Sequence, residues 1–118
     1  MSGVPAPLLE DVAVLPLAEV AKRLKIPVSR VNQLVRDGHL LSLQRDGGAV
    51  VPADFLEGSA VVKGLPGTIT LLRDGGYADR DILRWLFSDD ESLPGTPIGA
   101  LRAGRHREVK RRAQAMAF

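Results

Sequence analysis

Cysteine is missing from this 118-residue chain, which removes disulfide scaffolds and thiolate-held metals from consideration. Aromatic residues are scarce: Phe55, Tyr77, Trp85, Phe87 and Phe118 are the full set. The core must therefore rest on Leu, Val, Ile and Ala, which suits helices joined to a little sheet better than a β-sandwich. No apolar stretch approaches the roughly 18 residues needed to span a bilayer. The start has no basic region followed by an apolar run, so it does not read as a signal peptide. These absences fit a cytoplasmic protein with no membrane contact. Histidine occurs only at His39 and His106, and no metal-ligand spacing accompanies them. Gly64-Leu-Pro-Gly67 and Gly75-Gly76 read as turn glycines, since no Gly-Lys-Ser/Thr follows to make a phosphate loop. No nucleophile–base pair stands out, so the expectation is a protein that is not an enzyme and needs no cofactor.

Apolar residues make up 45% of the chain, ordinary for a globular protein and too many for a disordered one. The net charge of +2 says less than its distribution. Residues 1–15 hold two acids and no bases; residues 102–118 hold six bases and one acid. A basic tail on a nearly neutral body points to a polyanionic partner. The plainer account is that those bases solvate and cap a C-terminal helix. Asp89-Asp90-Glu91 is acidic as well, and a solvated loop at a helix end explains it better than a bound cation does.

Patterning divides the chain into a leader over 1–14, a first unit over 15–57 and a helical region over 58–118 packed upon it. Met1 to Pro7 read as flexible, and residues 8–15 as one helical turn at most. Pro16 suits a helix start, and Leu17, Val20, Ala21 and Leu24 then recur at helical spacing. Pro27 stops that helix. Ser29 is a suitable N-cap for a second, in which Val31, Leu34 and Val35 share a face. Asp37-Gly38 ends it, with Gly38 free to turn left-handed. Leu41 to Arg45, Asp46-Gly47-Gly48 and Ala49 to Val51 predict a two-stranded wing. A short helix follows, turning Phe55 and Leu56 inward. Gly58 to Gly67 reads as a linker, Thr68 as a cap for a helix to Leu72, and Asp79 as the cap of another. Thr96-Pro97 starts a short helix ending at Ala103-Gly104, and Arg105 to Met116 makes the last, with Val109, Ala113 and Met116 inward. Trp85 lies near Ile82 and Leu86 and reads as core rather than a stacking platform.

Two short helices joined by a tight turn occur in many helical proteins. Here the small Ala21 stands where a second helix must cross closely, and Leu24 and Ile26 flank the turn. Val31 and Leu34 anchor the second helix on the same core. The opposite face is left bare and carries Arg30, Asn32, Gln33 and Arg36. Asn and Gln pair bidentately with adenine, and Arg with guanine. Ser29 and the helix N-terminus can hold a phosphate. Lys22, Arg23 and Lys25 then face the flanking backbone, and Arg45 at the wing reaches a phosphate or a neighbouring groove. The alternative is an ordinary solvated helix face.

The run Leu17-Ala-Glu-Val-Ala-Lys-Arg-Leu-Lys-Ile-Pro-Val-Ser-Arg-Val-Asn-Gln-Leu-Val-Arg-Asp-Gly, followed by Leu40, Leu41 and the Asp-Gly-Gly wing, resembles the winged helix-turn-helix of MerR-like and excisionase-like DNA-binding proteins. With the C-terminal portion included, residues 15–118 resemble a family of small actinobacterial DNA-binding proteins, typified by the mycobacterial DNA-binding substrate of the serine/threonine kinase PknL. The resemblance implies a mainly α fold with a small β-hairpin wing: a winged helix-turn-helix followed by a helical C-terminal region. It also implies that residues 29–36 enter a groove of double-stranded DNA, which points to a transcriptional regulator. Lys25 departs from the pattern, because that turn often carries glycine. A left-handed lysine costs on the order of 1 kcal/mol, and Pro27 restricts its own predecessor, so the angle between the helices stays open.

Residues 93–105 resemble the C-terminal segment of MbcA/ParS/Xre-type antitoxins, in which this region serves dimer or partner contacts. A generic helical hairpin built on Thr-Pro and Gly caps accounts for the same residues. Two alternatives to DNA regulation follow: an antitoxin-like module of a toxin–antitoxin pair, and a winged domain that binds only protein. A homodimer or another protein partner would use the C-terminal helices. Arg102, Arg105, Arg107, Lys110, Arg111 and Arg112 form a basic set there. Helical spacing puts Arg105 and Arg112 on one stripe and Arg107, Lys110 and Arg111 on another. Arg105, Arg107 and Arg111 are the candidate phosphate contacts among them.

Overall fold

The computed structural model describes residues 10–118. The expected flexible leader over 1–7 lies outside the described residues. Strand β1 (Val14–Pro16) leads into α1 (Leu17–Leu24) and α2 (Val28–Arg36). Strands β2 (Leu43–Arg45) and β3 (Gly48–Pro52) form the wing. A 3-10 turn (Ala53–Phe55) and a small hairpin of β4 (Leu56–Glu57) and β5 (Ala60–Val61) follow. Four helices complete the chain: α3 (Leu65–Asp74), α4 (Asp79–Leu86), α5 (Pro97–Arg102) and α6 (His106–Ala117).

The wing turns at Asp46 and Gly47, both left-handed at φ 52° and 82°. Two positive φ values in a two-residue connection are what a type I′ hairpin requires, and they match the twist of the flanking strands. The wing has three strands rather than the expected two, in the order β1-β3-β2. β1 pairs antiparallel with β3 through Val14–Pro52, Leu15–Val51 and Pro16–Val50. Of residues 8–15, expected to hold a helical turn, Glu10 is helical, but Val14 and Leu15 are strand, because the far edge of β3 supplies their partners.

Several helix starts also differ from expectation. Gly58 to Gly67 is not a plain linker, since it holds β5 and the first turn of α3. Pro66 sits in that turn, where its missing N–H costs nothing. Thr68 therefore falls inside α3, buried, with its hydroxyl donating to the Gly64 carbonyl at 2.8 Å. Asp79 is the first residue of α4 rather than its cap, and its carboxylate is taken by Arg73. Thr96 caps α5 as expected, its Oγ1 accepting from the Gly99 N–H at 3.1 Å.

One apolar cluster runs through the whole molecule. It holds Val20, Val31, Leu41 and Phe55 from the first part together with Ile69, Leu72, Ile82 and Val109 from the second. The Phe55 and Phe87 rings stack across that boundary at 5.8 Å. α3 and α6 lie side by side in parallel. A Cβ added at Gly64 would stand 2.7 Å from His106 Cβ, and one at Gly75 only 2.6 Å from Ala117 Cβ. The two glycines thus let the helices approach at both ends.

The Asp90 carboxylate is not simply solvated, as its acidic neighbours suggested. It accepts from Trp85 Nε1 at 3.0 Å, from the Ser92 N–H and hydroxyl at 2.9 and 2.7 Å, and from Arg112 Nε at 3.0 Å. Those donors, led by the Ser92 hydroxyl, hold it well below the usual carboxylate range. Trp85 is half-buried and committed to this loop rather than offered as a platform.

Candidate nucleic-acid interface

The angle between α1 and α2 is set at Lys25. Its φ of 61° and ψ of 42° are left-handed. The Lys25 N–H reaches the Lys22 carbonyl at 3.3 Å and the Ile26 N–H the Ala21 carbonyl at 3.0 Å. This pair of bonds is a Schellman termination, which satisfies orphan carbonyls at the end of α1. The chain pays the expected strain and makes the turn. Pro27 then holds an extended conformation, and its carbonyl accepts from the Arg30 and Val31 N–H groups at 3.0 and 3.3 Å.

Ser29 is consequently not the N-cap. α2 begins at Val28 with Pro27 as the capping residue, and no side chain caps it. A proline already fixed at φ −66° and ψ 156° provides the non-helical entry that a capping serine would otherwise provide. The Ser29 hydroxyl is left exposed.

Val31 is fully buried beneath α2, and Leu40 and Leu41 fill the space behind it. The outward side carries Ser29, Arg30, Asn32, Gln33 and Arg36, all exposed. Arg30 and Asn32 make no side-chain hydrogen bond or ion pair with the described residues. Gln33 and Arg36 are linked: Arg36 NH2 donates to Gln33 Oε1 at 2.8 Å, and Gln33 Nε2 donates to Asp37 Oδ1 at 2.9 Å. The end of α2 is therefore pre-ordered, while its first half is unengaged.

Around this face, Lys22, Arg23 and Lys25 are exposed at the end of α1, with Arg23 3.7 Å from Glu19. Arg45 is half-buried, and its guanidinium donates to the Val12 carbonyl at 3.0 Å, which ties the wing to the chain ahead of β1. The C-terminal bases do not gather into one patch. Arg105 turns back to the Pro94 carbonyl at 3.4 Å and pairs with Glu108 at 3.5 Å. Arg107 and Arg111 are exposed beside Ser92 and Leu93, along an open groove of about 620 Å³. Lys110 does not share their surface, as the stripe count had implied. It lines a different groove of about 420 Å³ with Pro66, Thr70 and His39. Packing of α6 against α3 separates the two, since a helix face is divided by whichever neighbour lies along it.

Three contributors were not placed from the sequence. Arg73 on α3 holds Asp79 through two bonds of 2.8 Å and lies 3.5 Å from the Arg36 carbonyl. The Asp79 carboxylate raises the Arg73 pKa further. Gly38, left-handed at φ 80°, lies so close that a Cβ there would meet Arg73 NH1 at 2.8 Å. Arg102 donates to the Asp54 and Leu56 carbonyls at 3.0 and 2.7 Å. Such long-range contacts leave no trace in local spacing. Val28, the first residue of α2, is an exposed apolar side chain. Its helical spacing, one turn before Val31 and two turns before Val35, places it on the edge of the apolar face, so nothing in the sequence signalled its exposure.

A three-stranded winged helix-turn-helix with an open second helix, backed by four helices, defines a two-part winged-helix protein. Residues 5–56 match the family model described as "DNA-binding protein Rv2175c, wHTH domain", and residues 62–117 match the "Rv2175c C-terminal domain of unknown function". The DNA-binding protein Rv2175c of Mycobacterium tuberculosis is 49% identical over 115 residues, covering 86% of this chain and 79% of its own. The NMR structure of Rv2175c superposes with a TM-score of 0.83 at 46% identity, covering 92% of this chain and 83% of that one. The chain belongs to the Rv2175c family. Among the described residues, no group of acidic or histidine side chains is placed to hold a metal, and no helix is long and apolar enough to cross a membrane.

Proposed function

We propose that the chain is a cytoplasmic double-stranded DNA-binding protein, a transcriptional regulator that lays α2 in the major groove and rests its wing on the backbone. The observation that carries this reading is the outward side of α2, which no part of the described chain covers. A helix in that position presents Asn32 to adenine edges and Arg30 and Arg36 to guanine edges or phosphates. Gln33 is held by Arg36 and Asp37, so the three residues meet DNA as one ordered group. Ser29, Lys22, Arg23 and Lys25 lie beside this face and supply phosphate contacts that fix register. Residues 15–57 are the reading unit and 58–118 its support. The name of the mycobacterial relative agrees with the proposal.

The test is a titration of labelled duplex at about 50 and about 200 mM salt, paired with selection from random DNA. Affinity falls steeply with salt, and Arg30→Ala, Asn32→Ala and Arg36→Ala each weaken the selected duplex by about 1–3 kcal/mol if they contact base edges. Absence of duplex binding at the lower salt would refute the proposal. It would favour a winged domain that binds protein alone.

A further inference from the structure

Val28 is 42% exposed, and among the described residues the other large apolar side chain so placed is Phe118 at the chain's end. A single exposed apolar residue needs no explanation by itself. Its position gives it one. Val28 is the first residue of α2, at the end of the helix that helix-turn-helix proteins direct toward base edges. It lies at the edge of the apolar face, one turn before the fully buried Val31, and is left partly open to solvent where Val31 is not. It stands one helical turn before Asn32, so the two side chains are neighbours on the same strip of surface.

We propose that Val28 is a specificity-determining residue, packing its methyl groups against the C5-methyl of a thymine while Asn32 pairs with a nearby adenine. The inference rests on the reading that α2 enters the major groove. Thymine's methyl is the apolar feature which that groove presents, and it discriminates thymine from cytosine as no hydrogen bond from valine can. Burying one methyl group against an apolar side chain is worth about fourfold in affinity. The polar Ser29 and charged Arg30 beside Val28 are suited to phosphate and water, so Val28 supplies the apolar contact at this end of the helix.

The experiment begins with the duplex selected from random DNA. Each thymine is replaced in turn by deoxyuridine, which removes the C5-methyl and nothing else. Wild-type protein should lose about fourfold in affinity at one position. Val28→Ala should bind the unmodified duplex about fourfold or more weakly and show no further loss at that position. The exposure of Val28 leaves the fold of this variant intact, and its thermal midpoint checks that. Two results overturn the proposal while α2 remains the reader: no position sensitive to deoxyuridine, or an equal loss in wild type and Val28→Ala. In both, Arg30→Ala and Arg36→Ala still weaken binding. If wild type binds no duplex, the DNA-binding reading itself fails and takes this one with it.

Discussion

Lys25 carries a backbone conformation that glycine carries elsewhere in this chain. α2, α3 and α5 end in the same pair of bonds, with Gly38, Gly76 and Gly104 left-handed at φ 80°, 93° and 85°. Only glycine adopts that region without a Cβ penalty. Lys25→Gly should therefore raise stability by up to about 1 kcal/mol, less the extra chain entropy that glycine loses on folding. If Lys25 also contacts a phosphate, the same variant should bind DNA more weakly, with the salt slope reduced by about 1. Urea denaturation and a salt titration measure the two effects on one sample. A stabilised protein with an unchanged salt slope would remove Lys25 from the interface.

Asp90 makes the opposite kind of residue-scale claim, one of stability alone. Its folded pKa lies below the unfolded value, so its contribution is fully present above the unfolded pKa, near 4. It is lost as pH falls from there through the folded value. Asp90→Asn should cost about 1–2 kcal/mol at neutral pH, a discounted figure because Arg112 is 42% exposed. The gap between variant and wild type should narrow at about pH 3. Melting curves at both values decide it, and a gap constant with pH would mean that the carboxylate's charge is not what the loop uses.

At the scale of elements, strong local signals were legible and weak ones were not. The helix-turn-helix showed through because Ala21, Val31, Pro27 and Gly38 each allow few alternatives. The wing showed through because Asp46-Gly47 is a turn signal in itself. β1 did not, since three residues ending in proline carry no alternation and gain strand character only from β3. β4 and β5 are two residues each, too short for any period. Ser29, Thr68 and Asp79 were misplaced as caps for a shared reason. An earlier residue supplied the entry in each case, extended Pro27 and Ala78 for Ser29 and Asp79 and left-handed Gly64 for Thr68, so each polar side chain falls inside its helix. The open face of α2 was legible in the sequence, but the Arg36–Gln33–Asp37 link and the placing of Arg105 were not.

The join between α3 and α2 has an energetic signature. Arg73 binds Asp79 bidentately and lies against the end of α2, yet both side chains are partly exposed, at 29% and 48%. Screening limits the pair to roughly 0.5–1 kcal/mol of coupling. Arg73→Ala, Asp79→Asn and the double variant should therefore be non-additive by about that amount in urea denaturation. Additive costs would show that the pair is decorative and that Gly38 packing alone fixes the end of α2.

For the whole molecule the question is whether the winged unit and its helical support are one folding unit. Their boundary is crossed by the Phe55–Phe87 stack, by both Arg102 bonds and by a single buried cluster. Removing residues 58–118 would expose Phe55 and Leu56, each worth about 1.5–3 kcal/mol when buried, and would strand the end of α2 without Arg73. Marginal stability for a domain is of the order of 5–15 kcal/mol, so several such losses are enough to unfold a unit of this size. The full chain should unfold in one urea transition, with the same midpoint from Trp85 fluorescence in α4 and from the Val31 amide signal in α2. A fragment ending at Glu57 should show no cooperative transition. Two separated midpoints in the full chain, or a fragment that melts like the parent, would mean that the helical region contributes nothing to holding the recognition helix in place.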